Sequence, residues 1–142
     1  MQSLPTLPAD GSAPIQEITE TITYNDRLAT LYLGLGNAVY ALTKVDGRIQ
    51  REESDTVERI LVSLPQGHLA LQAFSVLDSC DVPVEAAYAF AMRRFSDNRK
   101  ALSEALKKQF VALLLQVAEA HDSMSTKEQE FIKRFRRDLR RF

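Results

Sequence analysis

The chain has 142 residues, 45% of them hydrophobic and 26% charged, a composition for one globular domain with a real core rather than a disordered segment. Eighteen Lys/Arg against nineteen Asp/Glu leave a net charge of -1, which excludes a whole-molecule basic field for nucleic acid. A single cysteine, Cys80, excludes an intrachain disulfide and a cysteine-rich metal site.

The near-neutral total conceals a split. Residues 1–58 carry nine acidic and four basic side chains. Residues 133–142 carry six basic ones (Lys133, Arg134, Arg136, Arg137, Arg140, Arg141) and one acid, Asp138. No apolar run approaches the ~20 residues that span a bilayer, and the first residues lack the pattern of a signal peptide. The expectation is a cytoplasmic protein with no transmembrane segment.

Three of the five prolines, Pro5, Pro8 and Pro14, fall at the start beside Gly11 and Ser12. Residues 1–14 therefore read as a mobile tail and 15–142 as the helical domain. A short helix over 15–23 is weakened by Thr19, Thr21 and Thr23. Asn25 or Asp26 then caps a helix running to about Val45, with Leu28, Leu31, Leu35, Val39 and Leu42 at three-to-four spacing. Tyr32, Leu33 and Tyr40 widen its apolar surface, so it is expected to be central. Gly34 and Gly36 cost helix propensity and point to close packing against a neighbour.

Asp46-Gly47 reads as a turn, Gly47 suiting a left-handed position. A second helix follows over about 51–63 and is broken by Pro65-Gln66-Gly67. A third covers about 68–79. Asp81 caps a fourth, with Pro83 in its first turn, through Ala87, Tyr88, Phe90 and Ala91 to about Arg94. Ser96 or Asp97 opens a fifth, ending near Ala120. Ser125 opens the last, with Phe131, Ile132, Phe135 and Leu139 inward. No stretch alternates with the period of a strand. The fold class is all-α, a single compact bundle of six to seven helices.

Two stretches repeat one another, residues 41–61 and 117–135. Each leaves an apolar helix, passes an aspartate (Asp46, Asp122) and a small residue (Gly47, Ser123), and meets glutamates opening a new helix. Asp46-Gly47 through Glu53 invites an EF-hand reading, but its first and third loop positions would be Leu42 and Lys44, where oxygen ligands are needed. In the second copy Ala118 takes the first position. These are not EF-hand loops.

The pair of helix–Asp–turn–Glu–helix units resembles the TerB-like tellurite-resistance family. That group is similar to the N-terminal region of a membrane-anchored DnaJ-like co-chaperone. The resemblance covers about residues 25–140. It is carried by Asp46-Gly47-Arg48-Ile49 with Glu53, and by Ala120-His121-Asp122-Ser123 with Glu128, Phe131 and Ile132. It implies a bundle of about seven helices in which the two aspartate turns meet across a pseudo-two-fold and form an acidic, metal-binding surface. Carried over by position, the metal candidates are Asp46, Glu53, Asp122 and Glu128, then Glu52 and Glu119. Ser123 in place of glycine and a second loop one residue shorter depart from the family pattern.

Such a site offers hard oxygen donors, which suit Ca²⁺ or Mg²⁺. The same residues have a second reading. Ser125-Thr126-Lys127-Glu128 is a capping box, and first-turn glutamates favour the helix dipole on any account. The basic end likewise reads either as the solvated face of a docked amphipathic helix or as a docking patch for a protein partner or membrane-associated complex. Arg136, Arg137, Arg140 and Arg141 are its candidates. No serine or cysteine nucleophile pairs with His121-Asp122, and Gly34-Leu35-Gly36 lacks the strand and third glycine of a dinucleotide loop. The expected function is a non-enzymatic stress-response module. The alternative is a metal-free, co-chaperone-like adaptor domain.

Overall fold

The computed structural model describes residues 13–120 and 123–142. Helix α1 (Ala13–Lys44) is followed by α2 (Arg51–Val62), α3 (Gly67–Ser79), α4 (Val84–Asp97), α5 (Glu104–Glu119) and α6 (Thr126–Leu139). A short 3-10 turn, Arg99–Ala101, precedes α5. The fold is an all-α bundle of six helices, and no strand occurs among the described residues.

The C-terminal half of α1 is the axle. Leu31, Leu35, Ala38, Val39, Tyr40, Ala41 and Leu42 lose essentially all contact with water, and Tyr32, Asn37 and Thr43 are also buried. A helix can be buried on every side only if neighbours surround it. Here α3 and α4 lie along it while α5 and α6 close the remaining sides. Gly36 shows how near they come: a Cβ there would stand 2.0 Å from the Ala70 carbonyl oxygen of α3. Gly34 lies beneath the ring of Phe95, which would be 2.9 Å from an added Cβ. Phe95 in turn packs against Phe110 of α5 and Phe135 of α6, with ring centroids 5.8 and 5.9 Å apart. Polar groups drawn into this core are paired: Asn37 Oδ1 accepts from Arg94 Nε at 3.1 Å.

Several boundaries differ from the sequence expectation, each for a local reason. The chain forms one 32-residue helix across Tyr24-Asn25 rather than two. Thr19, Thr23 and Thr30 each donate a hydroxyl to the carbonyl four residues earlier, so they stay inside the helix. Ala13 and Pro14 already belong to α1, while residues 1–12 lie outside the described residues. Asp81 does not cap α4. It takes a left-handed φ of 49° and pairs with Lys44, leaving Pro83 at the N-cap. Helix α4 runs past Ser96 to Asp97 and ends where Asn98 Nδ2 donates to the Arg94 carbonyl at 2.8 Å. Ser103, not Ser96 or Asp97, starts α5, its Oγ accepting from the Leu106 N–H at 3.1 Å. Of the four residues named on the fourth helix, Ala87, Tyr88 and Ala91 are buried and Phe90 is exposed.

Candidate functional site

The two repeated units do meet. After α1, Gly47 takes a φ of 121°, which only glycine adopts without strain, and the chain reverses into α2. There Glu53 Oε1 accepts from the Gln50 N–H at 2.9 Å. At the start of α6 the same device recurs. Ser125 Oγ accepts from the Glu128 N–H at 3.1 Å while Glu128 Oε1 accepts from the Ser125 N–H at 3.0 Å. The capping-box reading of Ser125 and Glu128 therefore holds in the structure. Ser125 Oγ also donates to Asp46 Oδ2 at 2.7 Å, tying the first turn to the second across 79 residues of sequence.

Between these helix starts lies a cleft of about 380 Å³ onto which Asp46, Glu52, Glu53 and Glu128 open, with Ser123 on its second side. Glu119, the last residue of α5, is exposed and does not line it. Asp122 and His121 lie outside the described residues. Among the described residues, no three acidic, histidine or cysteine side chains converge closely enough to hold a metal ion. Glu53 and Glu128 each commit one oxygen to a helix cap, which leaves one oxygen apiece for anything else. The cleft can offer hard oxygen donors, and its hydrogen bonds cap two helix starts and tie the first turn to the second.

The basic end resolves into two parts. Asp138, buried on α6, accepts from the Tyr88 hydroxyl at 2.5 Å and from Arg137 Nε at 3.1 Å, with Arg141 Nη2 at 3.5 Å. Burial works against the Asp138 carboxylate, but these donors outweigh it and hold its pKa below the usual carboxylate range. Burial, together with that hydrogen bond, pushes the Tyr88 hydroxyl far above the ordinary tyrosine value. Arg134 lies 3.9 Å from the centroid of the Tyr88 ring and forks onto Glu85 at 2.8 and 2.9 Å. That hydrogen-bonded pairing lowers the Glu85 pKa and raises that of Arg134. Asp138 and Tyr88 were not legible as a pair. The only hint was a lone acid in a basic helix, one turn below an aromatic position.

The other part is a groove along the seam of α5 and α6. One section, of about 590 Å³, holds Leu115, Met124 and Ile132 among the side chains of Lys133, Arg136 and Arg140. The next, of about 440 Å³, shares Leu115, Arg136 and Arg140 and adds Val111, Ala112, Leu139 and Lys108. Lys108, Lys133, Arg136 and Arg140 are exposed and make no ion pair among the described residues. Glu104 and Glu130 are the acids on its border. Of the four arginines read as a docking patch, Arg136 and Arg140 line both sections. Arg137 lines the first while bound to Asp138, and Arg141 lies outside both.

Comparison with family models, curated proteins and solved structures yields no match to this chain. No helix among the described residues is long and apolar enough to cross a membrane.

Proposed function

We propose that this chain is a non-enzymatic helical docking module of the TerB-like type, which holds an acidic segment of a protein partner in the α5–α6 groove. The observation that carries this reading is the groove's construction: an apolar floor from Val111, Leu115 and Ile132 beneath cations that make no ion pair among the described residues. Neutralised cations such as Arg137 only support the fold. Unpaired ones bordering apolar surface attract a complementary charge and give it something to bury. A suitable probe is an acidic amphipathic peptide with leucines at three-and-four spacing and glutamates elsewhere. It should bind the folded chain, and Arg136→Glu with Arg140→Glu should weaken binding by at least ~10-fold, or about 1.4 kcal/mol. Equal binding by that variant would overturn the reading. Binding to phosphatidylserine vesicles in preference to the peptide would turn it towards a membrane-surface role.

A second reading adds a divalent cation, Ca²⁺ or Mg²⁺, at the acidic cleft. It is supported by Asp46, Glu53 and Glu128 lining one cleft from two repeated units, although these three do not by themselves form a metal-holding cluster, with Asp122 next to that cleft in sequence. A melting temperature that rises with millimolar Ca²⁺ or Mg²⁺, and no longer does so in Asp46→Asn with Asp122→Asn, supports the cation. An unchanged melting temperature leaves the metal-free adaptor. The stress-response context belongs to the TerB-like resemblance and is proposed with it.

A further inference from the structure

Among the described residues, nothing buries the first turns of α1. Residues 15–26 are exposed throughout, so the helix leaves the bundle as a bare arm of about 18 Å. Along it Ile15, Ile18 and Ile22 recur at three-and-four spacing and are 66%, 49% and 56% exposed. That spacing makes one apolar stripe on a helix, the pattern of a helix that beds into a groove. The rest of the arm is acidic: Glu17, Glu20 and Asp26, with no Lys or Arg between residues 13 and 26. Nothing among the described residues covers this apolar stripe.

The same chain carries a matching cover, the α5–α6 groove with its apolar floor and with Lys108, Lys133, Arg136 and Arg140, which make no ion pair among the described residues. The arm is continuous with the buried axle of α1, so it cannot fold back into its own groove without breaking that helix. We infer that the arm of one copy docks in the α5–α6 groove of a second copy, giving a reciprocal two-fold dimer. Isoleucines meet Val111, Leu115 and Ile132, and glutamates meet the arginine rim. Two arms and two grooves close the assembly, as an isologous interface requires. Because opposed exposed charges border it, the association weakens as salt rises. The inference rests on the docking reading of the groove and names the occupant.

Sedimentation velocity on the full chain tests it. At concentrations up to about 300 μM and low salt, the wild type should sediment at twice the 16.0 kDa monomer mass, shifting towards monomer on dilution. Ile18→Glu with Ile22→Glu alters only the exposed arm and should give a folded monomer. Arg136→Glu with Arg140→Glu should do the same from the groove side. Combining that groove reversal with Glu17→Lys and Glu20→Lys should restore the dimer, which a merely destabilised variant would not do. A monomeric wild type, or a dimer that survives both single-side variants, overturns the inference. If the wild type is monomeric yet the acidic probe peptide still binds the groove, self-pairing fails and docking stands. If the peptide fails too, both fall.

Discussion

The two halves of α1 share one continuous helix and almost nothing else. Between Leu31 and Thr43 nearly every side chain is buried, so the helix there is held by its neighbours. Between Glu17 and Asp26 none is buried, and among the described residues only backbone hydrogen bonds and the back-bonded threonines sustain it. Periodicity cannot separate these cases, since both halves place apolar residues at helical spacing. What separates them is charge and residue size. The inner half has small residues at Gly34, Gly36, Ala38 and Ala41, which let other helices approach, and the outer half has Glu17 and Glu20, which keep it in water.

Substitutions can push each half against this contrast. The largest effect is expected at Gly36→Ala, because the new Cβ meets a backbone oxygen that belongs to a packed helix. A loss of about 3 kcal/mol in urea unfolding is predicted, at the upper end of ordinary overpacking. A loss under ~1 kcal/mol would mean that α1 and α3 are free to separate. Next is Asp138→Ala, which leaves the buried Tyr88 hydroxyl without its acceptor and should cost about 2 kcal/mol. Tyr40→Phe removes the hydroxyl that donates to the Val82 carbonyl at 2.7 Å, near the inner end of α1. It should cost about 1 kcal/mol. Ile18→Ser with Ile22→Ser, in the outer half, should stay within ~0.5 kcal/mol when measured on the monomer. A large loss there would show that the arm is packed on its own domain.

Acid acts on the inner structure as well. The Asp138 and Glu85 pKa values are lowered in the folded state, so both carboxylates contribute stability that is present above the unfolded value near pH 4. That contribution is lost as pH falls through their folded values. Tyr88 runs the opposite way. Its raised pKa penalises the folded chain once pH climbs past the unfolded tyrosine value near 10. Unfolding of Tyr88→Phe should therefore show a weaker alkaline decline than the wild type.

Much of the bundle could be read from the chain. The central helix, the close approaches at Gly34 and Gly36, and the Ser125–Glu128 cap follow from spacing and cap chemistry that act locally. Boundaries that depend on a choice between similar signals could not. Ser96-Asp97 and Ser103 both look like helix starts, and the outcome turns on which serine reaches an N–H three residues on after the 3-10 turn. Asp81 next to Pro83 looks like a cap until Lys44, 37 residues away, takes its carboxylate. At the sites, the TerB-like resemblance implied that the two aspartate turns meet; Asp122 lies outside the described residues, and what the structure shows is Asp46 bonded to Ser125 at the start of α6, a contact that spacing alone did not indicate. The basic tail was legible as charge. Its division into cations paired with Asp138 and cations without an ion pair among the described residues needed three dimensions, because Arg136 and Arg137 differ only in the side of the helix they occupy.

The docking claim is tested most directly by titrating the isotopically labelled full chain with the acidic amphipathic peptide and recording amide NMR shifts. Shifts should cluster on Val111, Leu115, Ile132, Arg136 and Arg140 and vanish in Arg136→Glu with Arg140→Glu. Shifts centred on Asp46, Gln50 and Ser125, or none at all at millimolar peptide, would contradict it.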